Sequence, residues 1–444
     1  MTGMAQCAGM QLGAALLVHA AVQRAPIPGE AEELGQLAAA AGASPVAVVA
    51  CRRSTADRRT LIGAGQVQEV QAAVQAHGAA CVIFSCTLSP SQERSLEQEL
   101  GVRVLDRTGL ILEIFARRAR THEGQLQVEL ALLEHEQTRL VRGWTHLERQ
   151  KGGFGLRGGP GETQIELDRR AIRTRIGVIR AELETLRRRR AQNRRRRRRS
   201  AVPVIALVGY TNAGKSTLFN RLTAAAVPTA DQLFATLDPT LRGVELARTG
   251  RAVFADTVGF IRELPHELIA AFRATLEETA LADLQLHVVD ASDPCRDEHM
   301  AAVDEVLRQI GAADVPRIEV FNKSDLVEEV SSAIVYDCRG PARVSVSART
   351  GQGVNELLSC IDACLAGPCC AFTIRLAWED ARLRALLYDC RAVEREYADA
   401  QGRGILELRI RAQDAARIDR LTTGRLRELC PSEPWQAGSR DSKR

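Results

Sequence analysis

Gly209-Tyr210-Thr211-Asn212-Ala213-Gly214-Lys215-Ser216 has the spacing G-x-x-x-x-G-K-S. Such a loop wraps phosphate with backbone N–H groups. Its Lys reaches the β- and γ-phosphates, and its Ser or Thr hydroxyl ligates Mg²⁺. The geometry works only where a buried strand feeds the loop and a helix leaves it, with the helix N-terminus facing the anion. Both flanks are present. Val204 to Val208 is a short apolar run of the kind a buried parallel strand needs, and Ser216 to Leu222 reads as the first turns of a helix.

The motifs that follow supply what such a loop requires. Arg251 to Ala255 reads as a strand ending in Asp256-Thr257-Val258-Gly259. An Asp at that point can support Mg²⁺ through water, and the Gly can bring its N–H to a γ-phosphate. Between the two motifs lies Phe234-Ala235-Thr236-Leu237-Asp238, a switch loop in which Thr236 completes the metal ligation. Thr240 competes for that role, and Thr229 is a weaker rival. Leu286 to Asp290 and Arg317 to Phe321 are two further strands, and the second ends in Asn322-Lys323-Ser324-Asp325. Asp325 can accept from the N1–H and N2–H₂ edge of guanine. Adenine would leave that carboxylate unpaired, so the contact discriminates strongly. Val344 to Ala348 leads to Ser347-Ala348-Arg349, whose backbone can meet guanine O6. Four motifs in order, each at a strand end, predict a P-loop α/β sheet that binds GTP with Mg²⁺. Lys215, Thr236 and Gly259 are the expected catalytic groups, and Ser216, Thr236 and Asp256 hold the metal. Phe260 stands where a Gln would orient the attacking water. A phenyl ring cannot do so, which predicts slow hydrolysis until a partner completes the site.

Upstream, residues 1–115 alternate strand-like and helix-like stretches, the pattern of a parallel sheet covered by helices. The Ser89-Pro90-Ser91-Gln92-Glu93 stretch reads as a helix start. Residues 116–200 read as helical. Leu126, Leu130, Leu133 and Leu140 on one segment, and Ile165, Ile172, Ile176, Ile179, Leu183 and Leu186 on another, predict an antiparallel coiled-coil hairpin. Thr163 with Glu166 forms a candidate capping box, and a second helix of roughly 28 residues would be about 40 Å long. The tip, residues 151–161, is Gly-rich yet carries Lys151, Phe154 and Arg157, which suit RNA contact through phosphates and stacking. Residues 201–367 form the GTPase domain, and 368–444 a small α/β domain and tail. There Phe372 to Leu376 and Gly404 to Ile410 read as strands, with a helix from Ala381 to Glu396.

Net charge is only +5, but it is unevenly spread. From Glu162 to Ser200, fifteen Arg face five acids, and the run ends in six consecutive Arg from Arg194 to Arg199. This is either a solvated helix end and linker or a contact with a polyanion. Only four Lys occur, at 151, 215, 323 and 443, and two of them fall in nucleotide motifs. No stretch approaches the ~18 apolar residues of a membrane span. The 12 scattered Cys fit reduced thiols in a cytoplasmic protein. Cys360, Cys364, Cys369 and Cys370 have no zinc-site spacing.

These motifs resemble the HflX family of ribosome-associated GTPases. The resemblance rests on the P-loop as it stands, on Phe234-Ala235-Thr236-Leu237-Asp238-Pro239-Thr240 and on Asp256-Thr257-Val258-Gly259-Phe260-Ile261. Outside that domain it rests on Ser89-Pro90-Ser91-Gln92-Glu93-Arg94, Arg120-Thr121-His122-Glu123-Gly124 and Arg157-Gly158-Gly159-Pro160-Gly161-Glu162-Thr163-Gln164. It implies an N-terminal α/β domain, helical hairpin, GTPase domain and small C-terminal domain. It also implies binding to the large ribosomal subunit and its rRNA, with GTP-dependent splitting of stalled or idle ribosomes, notably under stress, by a monomer. A GTP-regulated RNA remodeller and a signalling GTPase acting on a protein are the alternatives. The resemblance also implies ATP binding by the N-terminal region, but Gln66 replaces the Lys usual after Gly63-Ala64-Gly65, so a second ATP site is not assumed.

Overall fold

The computed structural model describes residues 12–22, 29–140, 160–199, 202–225, 233–234, 240–262, 278–327, 335–337, 340–366, 369–390, 392–398 and 404–430. Its first strand, β1 (Gly13–Val22), pairs in parallel with β2 (Ala43–Arg53) and with β3 (Cys81–Phe84), which in turn pairs with β4 (Arg103–Leu105). The order is β2-β1-β3-β4. Parallel neighbours need crossovers, and α1 (Glu30–Ala40), α2 (Ala64–His77) and α3 (Pro90–Leu100) supply them. The two-residue period of a strand sends Leu16, Val18 and Ala20 to a face covered by Val67, Val70, Leu96 and Leu100. Ala15 and Leu17 face the other way. They meet Leu34 and Leu37 of α1 and Leu110 and Ile111 of α4 (Arg107–Arg118). The helix start read at Ser89 is a capping box: Ser89 Oγ accepts from Gln92 N at 3.3 Å, Gln92 Oε1 accepts from Ser89 N at 2.9 Å, and Pro90 opens the helix.

Two long helices follow, α5 (His122–Leu140) and α6 (Pro160–Arg199). Leu126, Leu130 and Leu133 pack against Ile172, Ile176, Ile179, Leu183 and Leu186. Glu123 pairs with Arg190 at one end and Glu134 with Arg180 toward the other, both at 2.8 Å, so the helices are antiparallel. The second helix differs from the expectation at both ends. It opens at Pro160, ahead of Thr163 and Glu166. It also runs through the arginines to Arg199, giving 40 residues, or about 60 Å. Proline presets the backbone of a first helical residue, and arginine is a good helix former. Residues 141–159, with Lys151, Phe154 and Arg157, lie outside the described residues, as do the side chains of Leu140 and Ile165.

A second parallel sheet centres on β5 (Val204–Val208). After β6 (Thr240–Leu246), β7 (Gly250–Asp256) pairs with one side of β5 and β8 (Leu284–Asp290) with the other. Next to β8 lies β9 (Arg317–Asn322), and next to that Arg343 to Ser345. Helix α7 (Lys215–Thr223) leaves the P-loop, and α8 (Arg296–Gln309) follows β8. Apart from β6, these strands point the same way, so the P-loop, Asp256, Asp290 and Asn322 meet at one carboxyl edge, where open α/β sheets bind ligands.

The chain divides into two compact units. The first holds the first parallel sheet, the hairpin and most of the second sheet. The second comprises residues 245–252, 335–342 and 355–444. Its three-stranded antiparallel sheet places Gly404–Arg411 between Cys369–Leu376 and Val393–Ala398, over a core of Ile374, Leu383, Leu387, Leu406, Leu408 and Ile418. The helix expected from Ala381 to Glu396 stops at Asp389, and Val393–Ala398 is a strand. Its Ala, Arg and Glu content favours helix, but pairing with the neighbouring strand overrides that weak local preference.

Candidate functional site

The P-loop conformation is imposed by its neighbours. Gly214 has φ 86°, and a Cβ there would lie 2.2 Å from Asn322 Nδ2, so the position requires glycine. Asn322 is buried and uses its whole amide on the backbone. Nδ2 donates to Ala213 O at 2.9 Å, and Oδ1 accepts from Ala348 N at 2.9 Å. Ala348 lies in the turn whose backbone is expected to face guanine O6, and its N–H here donates to Asn322; a buried amide must satisfy both its ends, and Asn322 thereby joins the P-loop to the 347–349 turn.

Asp325 is the carboxylate left at this edge. It accepts from Ser347 Oγ at 2.6 Å and lies 3.8 Å from the Arg349 guanidinium. The Ser347 hydrogen bond holds its pKa below the usual carboxylate range, with Arg349 and Lys323 assisting. Lys323, at φ 61°, pairs with Asp290 at 2.6 Å, and Ser324 N donates to Val346 O at 3.1 Å.

At the other end of the site, Ser216 Oγ donates to Asp256 Oδ2 at 2.8 Å, and Asp256 is fully buried. Hydroxyl and carboxylate oxygens are the ligands Mg²⁺ takes, so this pair fits such an ion. Thr257 Oγ1 donates to Leu207 O at 2.5 Å and fixes the end of β7. Lys215 Nζ donates to Tyr210 O at 2.6 Å. Burial lowers the Lys215 pKa to about 8, opposed by Asp256.

The Val258-Gly259-Phe260 segment lies directly on the P-loop. Phe260 N donates to Gly209 O at 3.1 Å, and Thr211 N donates to Phe260 O at 2.8 Å. A Cβ on Gly259 would lie 2.8 Å from Thr211 Cγ2 and 2.9 Å from Lys215 Nζ, so only glycine permits this approach. The Phe260 ring is buried in the core that also holds Tyr210, Phe234 and Val258. Phe234 is buried too, with its ring edge-on to Phe115 at 4.8 Å between centroids. Ala235, Thr236, Leu237 and Asp238 lie outside the described residues, and so does Thr229. Thr240 opens β6.

Several residues of this region were not read from the sequence. Glu33 and Arg107, from the N-terminal domain, form a buried ion pair beside the P-loop. Tyr210 Oη donates to Glu33 Oε2 at 2.8 Å, and its ring stacks on His299 at 3.8 Å. No spacing rule links these positions. The only hint was a bulky aromatic inside a phosphate loop. At the other turn, Gln66 Oε1 accepts from Gly63 N at 3.2 Å, so Gln66 serves the start of α2.

Four family models match in succession. GTP-binding GTPase N-terminal covers 29–116, GTP-binding GTPase Middle Region 118–197, 50S ribosome-binding GTPase 204–323 and HflX C-terminal domain 338–429. The chain is 48% identical to GTPase HflX of Escherichia coli over 421 residues, covering 95% of this chain and 96% of that one. GTPase HflX of Magnetococcus marinus is 49% identical over 328 residues, 74% and 76% of the two chains. Among solved structures, a GTP-binding protein of Sulfolobus solfataricus in complex with GDP is similar at 24% identity, covering 79% of this chain and 97% of that one, with a TM-score of 0.42. With near full-length identity to such relatives and a P-loop, Asp256–Gly259 and Asn322–Asp325 meeting at one sheet edge, the chain belongs to the HflX family of GTPases.

Proposed function

We propose that this GTP hydrolase binds the large ribosomal subunit and, in the GTP state, splits or rescues stalled or idle ribosomes, with hydrolysis resetting it. The observation that carries this reading is α6, a continuous 40-residue helix that runs through the arginine-rich stretch to Arg199. A polyanion of large extent, such as rRNA, is the partner such an arm suits. The family model over 204–323 describes a 50S ribosome-binding GTPase. Lys151, Phe154 and Arg157 at the hairpin tip are proposed to contact the rRNA. The protein is proposed to act as a cytoplasmic monomer; no described helix is long and apolar enough to cross a membrane.

In this reading Lys215 stabilises phosphate charge, and Ser216, Thr236 and water-bridged Asp256 hold Mg²⁺, which neutralises charge on the β- and γ-phosphates when bound. Thr236 and the Gly259 N–H meet the γ-phosphate. Asp325, kept ionised by Ser347, accepts from the guanine edge, while Asn322 braces the loop beneath it. Loss of the γ-phosphate releases the switch loop that carries Thr236, and ribosome affinity falls. Because the Phe260 ring is in the core, no side chain at that position orients water, and the free protein turns over slowly.

The test is GTPase rate and co-sedimentation with large subunits, intact ribosomes and free structured RNA, in GTP-analogue and GDP states. GTP-dependent sedimentation with large subunits and a stimulated rate support the reading. Binding to free RNA in either state would favour an RNA remodeller, and binding to neither would favour a protein-directed signalling GTPase.

A further inference from the structure

The peptide of Arg262, three residues beyond Gly259, is held at both its polar groups. Its N–H donates to Tyr210 Oη at 3.0 Å, and its C=O accepts from the Arg107 guanidinium at 3.1 Å. Both holders converge on Glu33. One carboxylate oxygen accepts from Tyr210 Oη at 2.8 Å, and the other pairs with Arg107. Glu33, Arg107 and Tyr210 are all buried, at 9%, 4% and 8% exposure. The three side chains are therefore largely shielded from water, and each missing bond would leave a largely buried polar group unsatisfied. The network joins four separated parts of the chain: α1, the first residue of α4, the P-loop and the segment after β7.

We propose that Glu33 and Arg107 of the N-terminal domain, acting through Tyr210, are positioning residues for GTP hydrolysis. They fix the Gly259–Arg262 segment against the P-loop. Phe260 is already tied at both backbone groups to Gly209 and Thr211, so anchoring Arg262 immobilises the stretch from one end to the other. Gly259 then stays beside Lys215, where the γ-phosphate is proposed to bind, and the cost of ordering it is met before nucleotide arrives. The same helix also reaches the other switch. Arg118, the last residue of α4, donates to Phe234 O at 3.0 Å. The inference rests on the proposed role of Gly259.

The test is Tyr210→Phe in the full-length protein, which removes one oxygen and keeps the stack on His299. Three quantities are read: kcat and KM for GTP, GDP affinity, and amide hydrogen exchange at Phe260 and Arg262. The expected result is faster exchange at Arg262, a fall in kcat of about tenfold, and unchanged GDP affinity. Glu33→Gln keeps an acceptor for Tyr210 but loses the negative charge that pairs with Arg107, and should fall between wild type and Tyr210→Phe. Unchanged exchange at Arg262 overturns the clamp. Faster exchange with unchanged kcat overturns the positioning role. An equal loss of kcat and GDP affinity also overturns it, since that reports general damage to the P-loop. Wild-type turnover by Lys215→Ala would instead sink the phosphate-site reading, whatever Tyr210→Phe does.

Discussion

Asn322 and Ala213 are 109 residues apart in sequence, yet the Asn322 amide donates to the Ala213 carbonyl at 2.9 Å and accepts from Ala348 N with its other end. One side chain therefore sets the distance between the phosphate loop and the base-side turn. Asn322→Ala removes both bonds and leaves two buried backbone groups unsatisfied. At roughly 1–3 kcal/mol for each orphaned group, GTP and GDP should both bind at least about tenfold more weakly, to the same degree. Titration with a fluorescent guanine nucleotide measures this.

Asp325→Asn tests the base contact. The amide replaces one acceptor with a donor and loses the charge that Ser347 and Arg349 support. Losing two charge-assisted hydrogen bonds should weaken GTP by roughly 10²- to 10⁴-fold. Xanthine carries a carbonyl where guanine carries its amino group, so the variant should gain affinity for XTP. Equal affinity for GTP in variant and wild type would refute the assignment.

Gly259→Ala places a methyl group 2.8 Å from Thr211 Cγ2 and 2.9 Å from Lys215 Nζ. Overpacking of this kind costs about 1–3 kcal/mol, and here it pushes the segment away from the phosphate lysine. Single-turnover GTP hydrolysis should slow by about tenfold or more, while GDP affinity changes little.

His287 is buried on β8, and burial, aided by Arg317, lowers its pKa from 6.5 to about 4. The folded state thus favours the neutral ring. Its contribution to stability is fully present above pH 6.5 and is lost as pH falls through 6.5 toward 4. The full difference is about 3 kcal/mol. Urea midpoints of His287→Leu should fall less than those of wild type between pH 7 and pH 4.5. Parallel pH profiles would exclude this histidine as a source of acid sensitivity.

The two parallel sheets were legible because buried parallel strands appear as short apolar runs and glycines punctuate the turns. Gly209 to Ser216 and Asn322 to Asp325 could be placed before any geometry was known, since each motif requires its own strand end. The Ser89 capping box was legible for the same local reason. Val393–Ala398 was not, because its residues favour helix in isolation and only the partner strand Gly404–Arg411 makes it extended. The start of α6 was misplaced because Pro160 and the Thr163–Glu166 pair both signal a helix opening, and only the backbone shows which one operates.

The sequence by itself determined the chemistry. Residue types at fixed spacing specify a phosphate-loop pattern, an oxygen pair suited to Mg²⁺ and a carboxylate proposed to read guanine, because each of these is local to a single turn. Tertiary structure alone decided how the turns are held. Asn322 as a brace, Phe260 turned into the core, and Glu33 and Arg107 gripping Arg262 all join residues with no sequence relation. Such contacts arise where buried polar groups must find partners, and the fold, rather than any local spacing, decides which partners are within reach.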